Sequence, residues 1–205
     1  MSKFAPKRSN LNMPGAWNAA IVTPNWLKQQ FPDLVPGDKF EAQLLSGPAP
    51  SFQFVIHGVT VAPWNGKLIL SPVDDQEGIL DYVQKLGLAI FKRLPHTPIA
   101  AVGHNFVYEL EGDEGFAVER FMDNAGRDEF YSSLDLGMSC EKKQHTFAYD
   151  DHLLNVIYDT SEEQPYLQIN CHYAVSDSRK IENAISQFTA NQSKAECLVT
   201  GLVRR

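Results

Sequence analysis

Two histidines and two aspartates fall within the short segment HTFAYDDH, and this group is a candidate for chemistry. Imidazole and carboxylate groups bind divalent transition metals, so His145, Asp150, Asp151 and His152 could form a metal site for a hydrolase. Their spacing matches no known ligand motif, however. Asp150 and Asp151 fall where the chain should turn between two strands, and aspartate is favoured in turns because it hydrogen-bonds to nearby backbone groups. The pattern favours a turn and leaves the metal site as the alternative.

A second candidate is His104, within the run PIAAVGHNFVYEL, which has the pattern of a strand. Strand periodicity puts Val102, Phe106, Tyr108 and Leu110 on the same face as His104. A base or a metal ligand would need a carboxylate or a thiol beside the imidazole, and the neighbouring sequence supplies neither. We therefore predict that His104 is a buried structural residue, hydrogen-bonded to a backbone carbonyl or a tyrosine hydroxyl.

A cysteine and a histidine stand side by side in the segment PYLQINCHYAV. Adjacent residues of a strand face opposite ways, so Cys171 and His172 cannot form a thiolate–imidazole pair with each other. Cys171 shares its face with apolar residues, which predicts a buried and inert thiol. His172 shares the other face with Gln168 and Asn170, and such a polar row on a sheet can serve as a recognition surface.

Motifs of familiar enzyme classes are missing from the sequence. It contains no G-x-S-x-G, no Walker phosphate-binding loop, no G-x-G-x-x-G, no H-E-x-x-H and no C-x-x-C. Carboxylates are plentiful, but no pair of them has a context that marks it as catalytic. The sequence therefore predicts no catalytic residue and no cofactor, and it favours a protein that is not an enzyme.

The three tryptophans all lie in the first half of the chain, and two of them suggest a contact surface. Trp64 precedes Asn65-Gly66 in the segment APWNGK, and Asn-Gly is a strong signal for the tight turn of a hairpin. A large side chain at the tip of a hairpin has little cover from its own strands. We predict that Trp64 contacts another protein chain and that Trp26, in the short helical segment NWLKQQF, also contributes to binding. The alternative is that Trp64 packs against a neighbouring element of its own chain.

The charge and the cysteine content restrict the class of protein. The chain has 205 residues and a formal net charge of −7. A general nucleic-acid-binding protein needs a basic surface that displaces counterions, so this charge makes nucleic acid an unlikely partner. Three widely spaced cysteines predict reduced thiols. The sequence shows no signal segment and no long apolar run, so we expect a cytoplasmic protein without a membrane partner.

The elements that must position these residues follow one order twice, β-α-β-β-β-α. We interpret residues 1–13 as a flexible arm and residues 14–205 as a single α+β domain of two pseudo-repeated halves, 14–95 and 96–205. Apolar residues spaced three and four apart predict long helices near Asp75–Leu94 and Arg179–Val199. We expect a curved, mainly antiparallel sheet with the two long helices on one face. The strand predictions are AWNAAIVTP, KFEAQLLSG, SFQFVIHGVTV and GKLILSPV in the first half, and PIAAVGHNFVYEL, SSLDLGMSCEKK, HTFAYDDHLLNVIYD and PYLQINCHYAV in the second.

This order of elements resembles, in topology only, the duplicated architecture of the TATA-binding-protein-like proteins. The resemblance implies that the two halves join edge to edge into one continuous sheet. The sequence departs from that architecture by one strand fewer in each half, and no functional residue is carried over. At LPHTPIAAVGHNF, which follows a long helix, the chain also looks like a family of uncharacterised bacterial α+β proteins, and that family brings no assigned chemistry.

These features together favour an intracellular interaction protein without enzymatic activity, an adaptor or regulatory subunit that docks a protein partner. The partner could be a second copy of the chain, which would make the protein a homodimer. One alternative is a metal-dependent hydrolase that uses the cluster at 145–152. The other is a nucleic-acid-binding module that uses the sheet face.

Overall fold

The computed structural model describes residues 5–35, 37, 40–45, 51–122, 142–161 and 164–203. The described strands are β1 (Arg8–Pro14), β2 (Glu41–Leu45), β3 (Ser51–Ile56), β4 (Val59–Trp64), β5 (Lys67–Pro72), β6 (Ala101–Glu109), β7 (Lys142–Ala148), β8 (Leu153–Asp159) and β9 (Tyr166–Ala174). The described helices are α1 (Pro24–Gln30), α2 (Ile79–Arg93), α3 (Glu114–Met122), α4 (Ser178–Ser186) and α5 (Phe188–Val203). Most of the predicted segment SSLDLGMSCEKK lies outside the described residues.

All nine described strands form one open sheet in the order β2-β3-β4-β5-β1-β6-β9-β8-β7. Every pair of neighbouring strands is antiparallel. The prediction of an α+β protein with a large antiparallel sheet is confirmed. Among the helices that the structure describes, none has the length and hydropathy needed to cross a membrane.

Strand β1 lies in the middle of the sheet, so the interpretation of residues 1–13 as a flexible arm is wrong from Arg8 onwards. Leu11 is opposite Leu70 of β5 on one side and His104 of β6 on the other. Leu11 and Met13 are fully buried. The alternation of a strand was present in NLNM, but asparagines fill the other face and hid the signal.

The segment predicted as the first strand, AWNAAIVTP, is a turn and an irregular connection instead. Only the preceding residue, Gly15, makes an isolated bridge, with Ile99. A side chain at Gly15 would collide with the Pro98 carbonyl oxygen, so this position needs glycine. The indole Nε1 of Trp17 donates to the Met13 carbonyl at 2.6 Å, and the ring is buried against the end of β1.

The run SFQFVIHGVTV was predicted as one strand and forms two, β3 and β4. His57 and Gly58 connect them with φ values of 48° and 75°, and two successive positive φ values are typical of a tight hairpin turn. Together with β1, which begins before residue 14, the part of the chain up to Pro72 therefore has five strands where the sequence predicted four. The second hairpin is confirmed, because Trp64 pairs with Lys67 and Asn65-Gly66 forms the turn between them.

The helix predicted over Asp75–Leu94 begins later than expected, at Ile79, because Gly78 precedes it in a left-handed conformation. The helix predicted over Arg179–Val199 is divided into α4 and α5 at Gln187. The side chain of Asp177 begins α4 by accepting a hydrogen bond from the Lys180 backbone N–H at 2.9 Å.

Helices α2, α4 and α5 pack against the sheet, on the side that we call the helix face. Helix α2 lies on β1 and β5, α4 on β6, and α5 on β6 and β9. Phe188 of α5 stacks on Phe106 of β6 with ring centroids 5.5 Å apart. The opposite side, which we call the open face, carries alternate residues such as Asn10 and Asn105. The core lies between the helix face and the helices, and the open face carries polar side chains together with apolar ones such as Ile69 and Val107.

Candidate functional sites on the two faces of the sheet

A line of polar side chains crosses five adjacent strands of the open face, and we call it the polar row. Its members stand directly opposite one another from strand to strand. In spatial order they are Asn10 of β1, Asn105 of β6, Asn170 of β9, Asn155 of β8 and Thr146 of β7. Antiparallel register brings them together although they come from distant parts of the chain.

Hydrogen bonds along the polar row all run in one direction. Asn105 Nδ2 donates to Asn10 Oδ1 at 2.8 Å, and Asn170 Nδ2 donates to Asn105 Oδ1 at 2.9 Å. Asn155 Nδ2 donates to Asn170 Oδ1 at 2.8 Å, and Thr146 Oγ1 donates to Asn155 Oδ1 at 2.8 Å. The side chains are therefore held in fixed orientations before anything binds to them.

The polar row keeps donors available for a partner. A carboxamide has two N–H donors, and each of Asn105, Asn155 and Asn170 uses one of them within the row. No described group accepts the second N–H of these three residues. The row thus has the chemistry to bind carbonyl or carboxylate oxygens on another molecule.

Two of the residues predicted as a recognition surface belong to this site. Asn170 is a member of the polar row, and Gln168 Nε2 donates to Asn105 Oδ1 at 3.4 Å. His172 lies one pair further along β9, opposite Gly103 and Leu153. All three predicted side chains are half-buried. Sequence reasoning missed the other members of the row, although asparagines at same-face positions of several strands were a usable signal.

Trp64 lies on the open face, by alternation with the buried Val59 and Val61. Its ring is half-buried, and Lys67 Nζ lies over it at 4.9 Å from the ring centroid. The indole Nε1 is buried and has no hydrogen-bond partner among the described residues.

Trp26 is in a different environment. It lies on α1, edge-on to Phe31 at a centroid distance of 5.7 Å, and packs against the core. Hydrogen bonds from α2 to Gln30 and to the Leu34 carbonyl hold this part of the chain to α2. The structure therefore does not group Trp26 with Trp64 on one surface.

His104 is fully buried on the helix face, as the sequence predicted. Burial, and to a smaller extent the charge of His152, lower the pKa of its imidazole to about 3, against the opposing effect of the Ala184 carbonyl. The sequence predicted a carbonyl or a tyrosine hydroxyl as the partner of this ring, and the structure adds a partner that was not predicted, Asn191, whose Nδ2 lies 3.0 Å from His104 Nδ1. Since an amide nitrogen donates, Nδ1 is the acceptor and the neutral ring carries its proton on Nε2.

A cavity of about 310 Å³ opens between β8, β9 and α5, and we call it the His152 cavity. Its lining residues are Tyr149, His152, Leu154, Ile169, Cys171, Asn191, Lys194, Ala195 and Leu198. The His152 ring is stacked between Tyr149 and Tyr173, each at a centroid distance of 4.8 Å. Its Nδ1 lies 2.6 Å from Asp151 Oδ1. These contacts fix the ring at the edge of the cavity.

Cys171 lies in the wall of the His152 cavity and is almost fully buried. Burial raises the pKa of its thiol to about 11, while Lys194 acts in the lowering direction and Asp151 in the raising direction. A thiol with this pKa stays protonated at neutral pH and is a poor nucleophile. The geometry thus agrees with the inert cysteine predicted from the sequence.

The four residues considered as a metal cluster do not converge on one point, although Asp151 and His152 are in contact. His145 faces Phe121 of α3 at a centroid distance of 5.7 Å, whereas His152 is enclosed by tyrosines. Asp150 and Asp151 occupy the bend between β7 and β8, at the predicted turn. Within the described ranges, no group of three or more histidine, cysteine, aspartate or glutamate side chains is arranged to hold a metal ion.

Comparison with known proteins adds no assignment, because neither a scan of family models nor a search of curated proteins gives a match to this chain. The candidate sites therefore have to be interpreted from their own geometry.

Proposed function

We propose that this chain is an interaction protein without enzymatic activity, an adaptor or regulatory subunit that docks a protein partner on the open face. The partner could be a second copy of the chain. The observation that carries the proposal is the polar row, an ordered line of half-buried or exposed side chains whose second N–H groups have no described acceptor. A protein backbone offers carbonyl oxygens that such donors bind, and Trp64 on the same face supplies an aromatic anchor.

The charge of the site favours a protein over a nucleic acid. The members of the polar row are all neutral, and the chain as a whole has a net charge of −7. Lys7, at the edge of this region, lies 3.4 Å from the Glu109 carboxylate, which offsets its charge. Nucleic-acid binding depends on many cationic contacts with phosphates, and this face offers few of them.

The state of the candidate catalytic groups supports a role other than catalysis. A general base needs a pKa near the working pH and access to its substrate. His104 is fully buried with a pKa of about 3, and Cys171 is nearly buried with a pKa of about 11. Neither group is poised to move a proton or to attack a substrate at neutral pH.

The proposal extends to the organisation of the chain and to its compartment. We propose that the chain consists of two related halves that meet at β1 and β6. The strand order supports this, because β5 and β9 flank the central pair and β4 and β8 follow on either side. We also propose a cytoplasmic location, since the described cysteines, Cys171 and Cys197, are both free thiols. Halves whose strands and helices do not superpose would contradict the first statement, and localisation of a fluorescent fusion tests the second.

Affinity capture with the full chain tests the docking proposal. Gln168→Lys and His172→Glu change the charge of the open face, and Lys85→Glu makes a comparable change on α2, on the other side of the sheet. We expect the wild type and Lys85→Glu to retain one specific protein, and the two open-face variants to retain it at least about tenfold less. Light scattering of each variant covers the case in which the partner is a second copy.

Two results would contradict the docking proposal. Retention of the partner by both open-face variants would mean that it binds elsewhere. Loss of all captured material after nuclease treatment, with strong weakening by salt, would assign the face to nucleic acid instead.

A further inference from the structure

We infer that the His152 cavity is a binding site for a small carboxylic acid with an apolar body, such as an aryl or short branched aliphatic monocarboxylate. The cavity lies on the helix face, on the opposite side of the sheet from the polar row. The inference is therefore independent of the docking proposal, and either could fail alone.

The walls of the cavity suit an apolar body. Five of its lining residues present carbon or a protonated thiol, namely Leu154, Ile169, Cys171, Ala195 and Leu198. Transfer of apolar surface from water into such a cavity is favourable. Its volume of about 310 Å³ is at the small end of the range for small-molecule sites, so the ligand is compact.

The charge at the cavity selects an acid. Lys194 is the lysine among the lining residues, and it lies exposed at the edge of the cavity. In the described part of the chain no carboxylate lies within 4.0 Å of its ammonium group, and its described partner is Asn191 Oδ1 at 3.4 Å. A carboxylate ligand would supply the missing counter-charge, whereas an amine would be repelled.

A buried network holds the amide of Asn191 in position beside this lysine. Asn191 is 1% exposed, and its Nδ2 donates to the Tyr173 hydroxyl at 2.6 Å as well as to His104 Nδ1. Because His104 and Tyr173 engage both N–H donors of the amide, its Oδ1 is left to accept a hydrogen bond from Lys194. The lysine is thus oriented toward the cavity by a group that cannot easily turn.

Asp151, beside the cavity-lining His152, does not compete for the lysine. Asp151 is engaged by the His152 ring at 2.6 Å, and that ring is fixed between two tyrosines. The arrangement leaves one cation beside an apolar cavity, which is the chemistry that recognises a monocarboxylate.

Titration of the full chain with benzoate, benzamide and benzylamine tests the inference. These probes share a ring and differ in charge. Assigned methyl NMR signals of Leu154, Ile169, Ala195 and Leu198 report occupancy of the cavity directly. We expect benzoate to shift these signals and benzamide and benzylamine to bind at least about tenfold more weakly.

Variants of the lysine provide the matched comparison. Lys194→Gln should weaken benzoate binding at least about tenfold, while Lys194→Arg and the α2 variant Lys85→Gln should retain it. Four results would overturn the inference: benzamide binding as tightly as benzoate, full binding by Lys194→Gln, shifts confined to methyls elsewhere, or no shift with benzoate or 3-methylbutanoate at about 10 mM.

Discussion

Burial of His104 should make the stability of this protein depend on pH in a way that one substitution removes. The pKa of the folded imidazole is about 3, against 6.5 for an unperturbed histidine. Between these values the unfolded chain binds a proton at residue 104 that the folded chain does not. The free energy of unfolding therefore falls as the pH decreases below 6.5, by about 1.4 kcal/mol for each pH unit. From about pH 7.5 to about pH 5.0 this one residue should account for a loss of about 2 kcal/mol.

His104→Leu removes the titrating group and keeps an apolar side chain in its place. At about pH 7.5 the variant should be less stable than the wild type by ~1–3 kcal/mol, because a buried N–H of Asn191 loses its acceptor. At about pH 5.0 the difference should shrink by about 2 kcal/mol, or reverse in sign, because the wild type alone bears the proton-linked loss.

Urea unfolding at the two pH values, followed by far-ultraviolet circular dichroism, measures both quantities. His96→Leu, at an exposed position after α2, is the control and should keep the pH dependence of the wild type. If His104→Leu loses as much stability between the two pH values as the wild type does, the ring is not held neutral by burial and the reasoning is wrong.

Three further predictions concern other parts of the molecule. Gly15→Ala should lower the free energy of unfolding by ~1–3 kcal/mol, because its methyl group would collide with a backbone oxygen. Gly201→Ala on α5 is the control, because its methyl group meets open space and should not destabilise the protein. Urea unfolding compares the two variants. With Cys140 replaced by serine, the exposed Cys197 should react with a maleimide at least about tenfold faster than the buried Cys171. Equal rates would contradict the protonated state of the Cys171 thiol. Trp64→Ala should weaken capture of the partner with little change in melting temperature; a large fall in melting temperature with capture unchanged would show that the ring serves the core instead.

Much of the fold could be predicted from local patterns. Helix α2 has apolar residues at spacings of three and four, and basic residues in its last turn, so its position was clear apart from its first turn. Strand β6 was equally clear, because apolar and aromatic residues recur at every second position on one face of this nine-residue strand. Strand β1 was missed because asparagines occupy positions 10 and 12 on its open face, and asparagine is uncommon in strands. The turn at His57 was missed because residues other than glycine seldom adopt a positive φ, although histidine does so more often than most.

The candidate sites depend on contacts between distant residues, and the sequence could suggest them only in part. Gln168, Asn170 and His172 were predicted as a row because they alternate on one strand. The rest of the polar row required the order of the strands, since Asn10 and Asn105 are 95 residues apart. The hydrogen bond between His104 and Asn191 could not be predicted either, because Asn191 lies 87 residues further along the chain, on α5. Burial of His104 could be predicted from its neighbours on the strand, whereas its hydrogen bond could not.

Site-specific photo-cross-linking tests the central claim, docking of a protein on the open face, most directly. A photoreactive phenylalanine derivative at position 168 lies on the open face, and the same group at position 182, a half-buried position of α4 on the other side of the sheet, is the matched control. In native lysate we expect a discrete protein adduct from position 168, unaffected by nuclease, and no such adduct from position 182. Equal adducts from both positions, or none from position 168 that survives nuclease treatment, would contradict the claim that this face docks a protein.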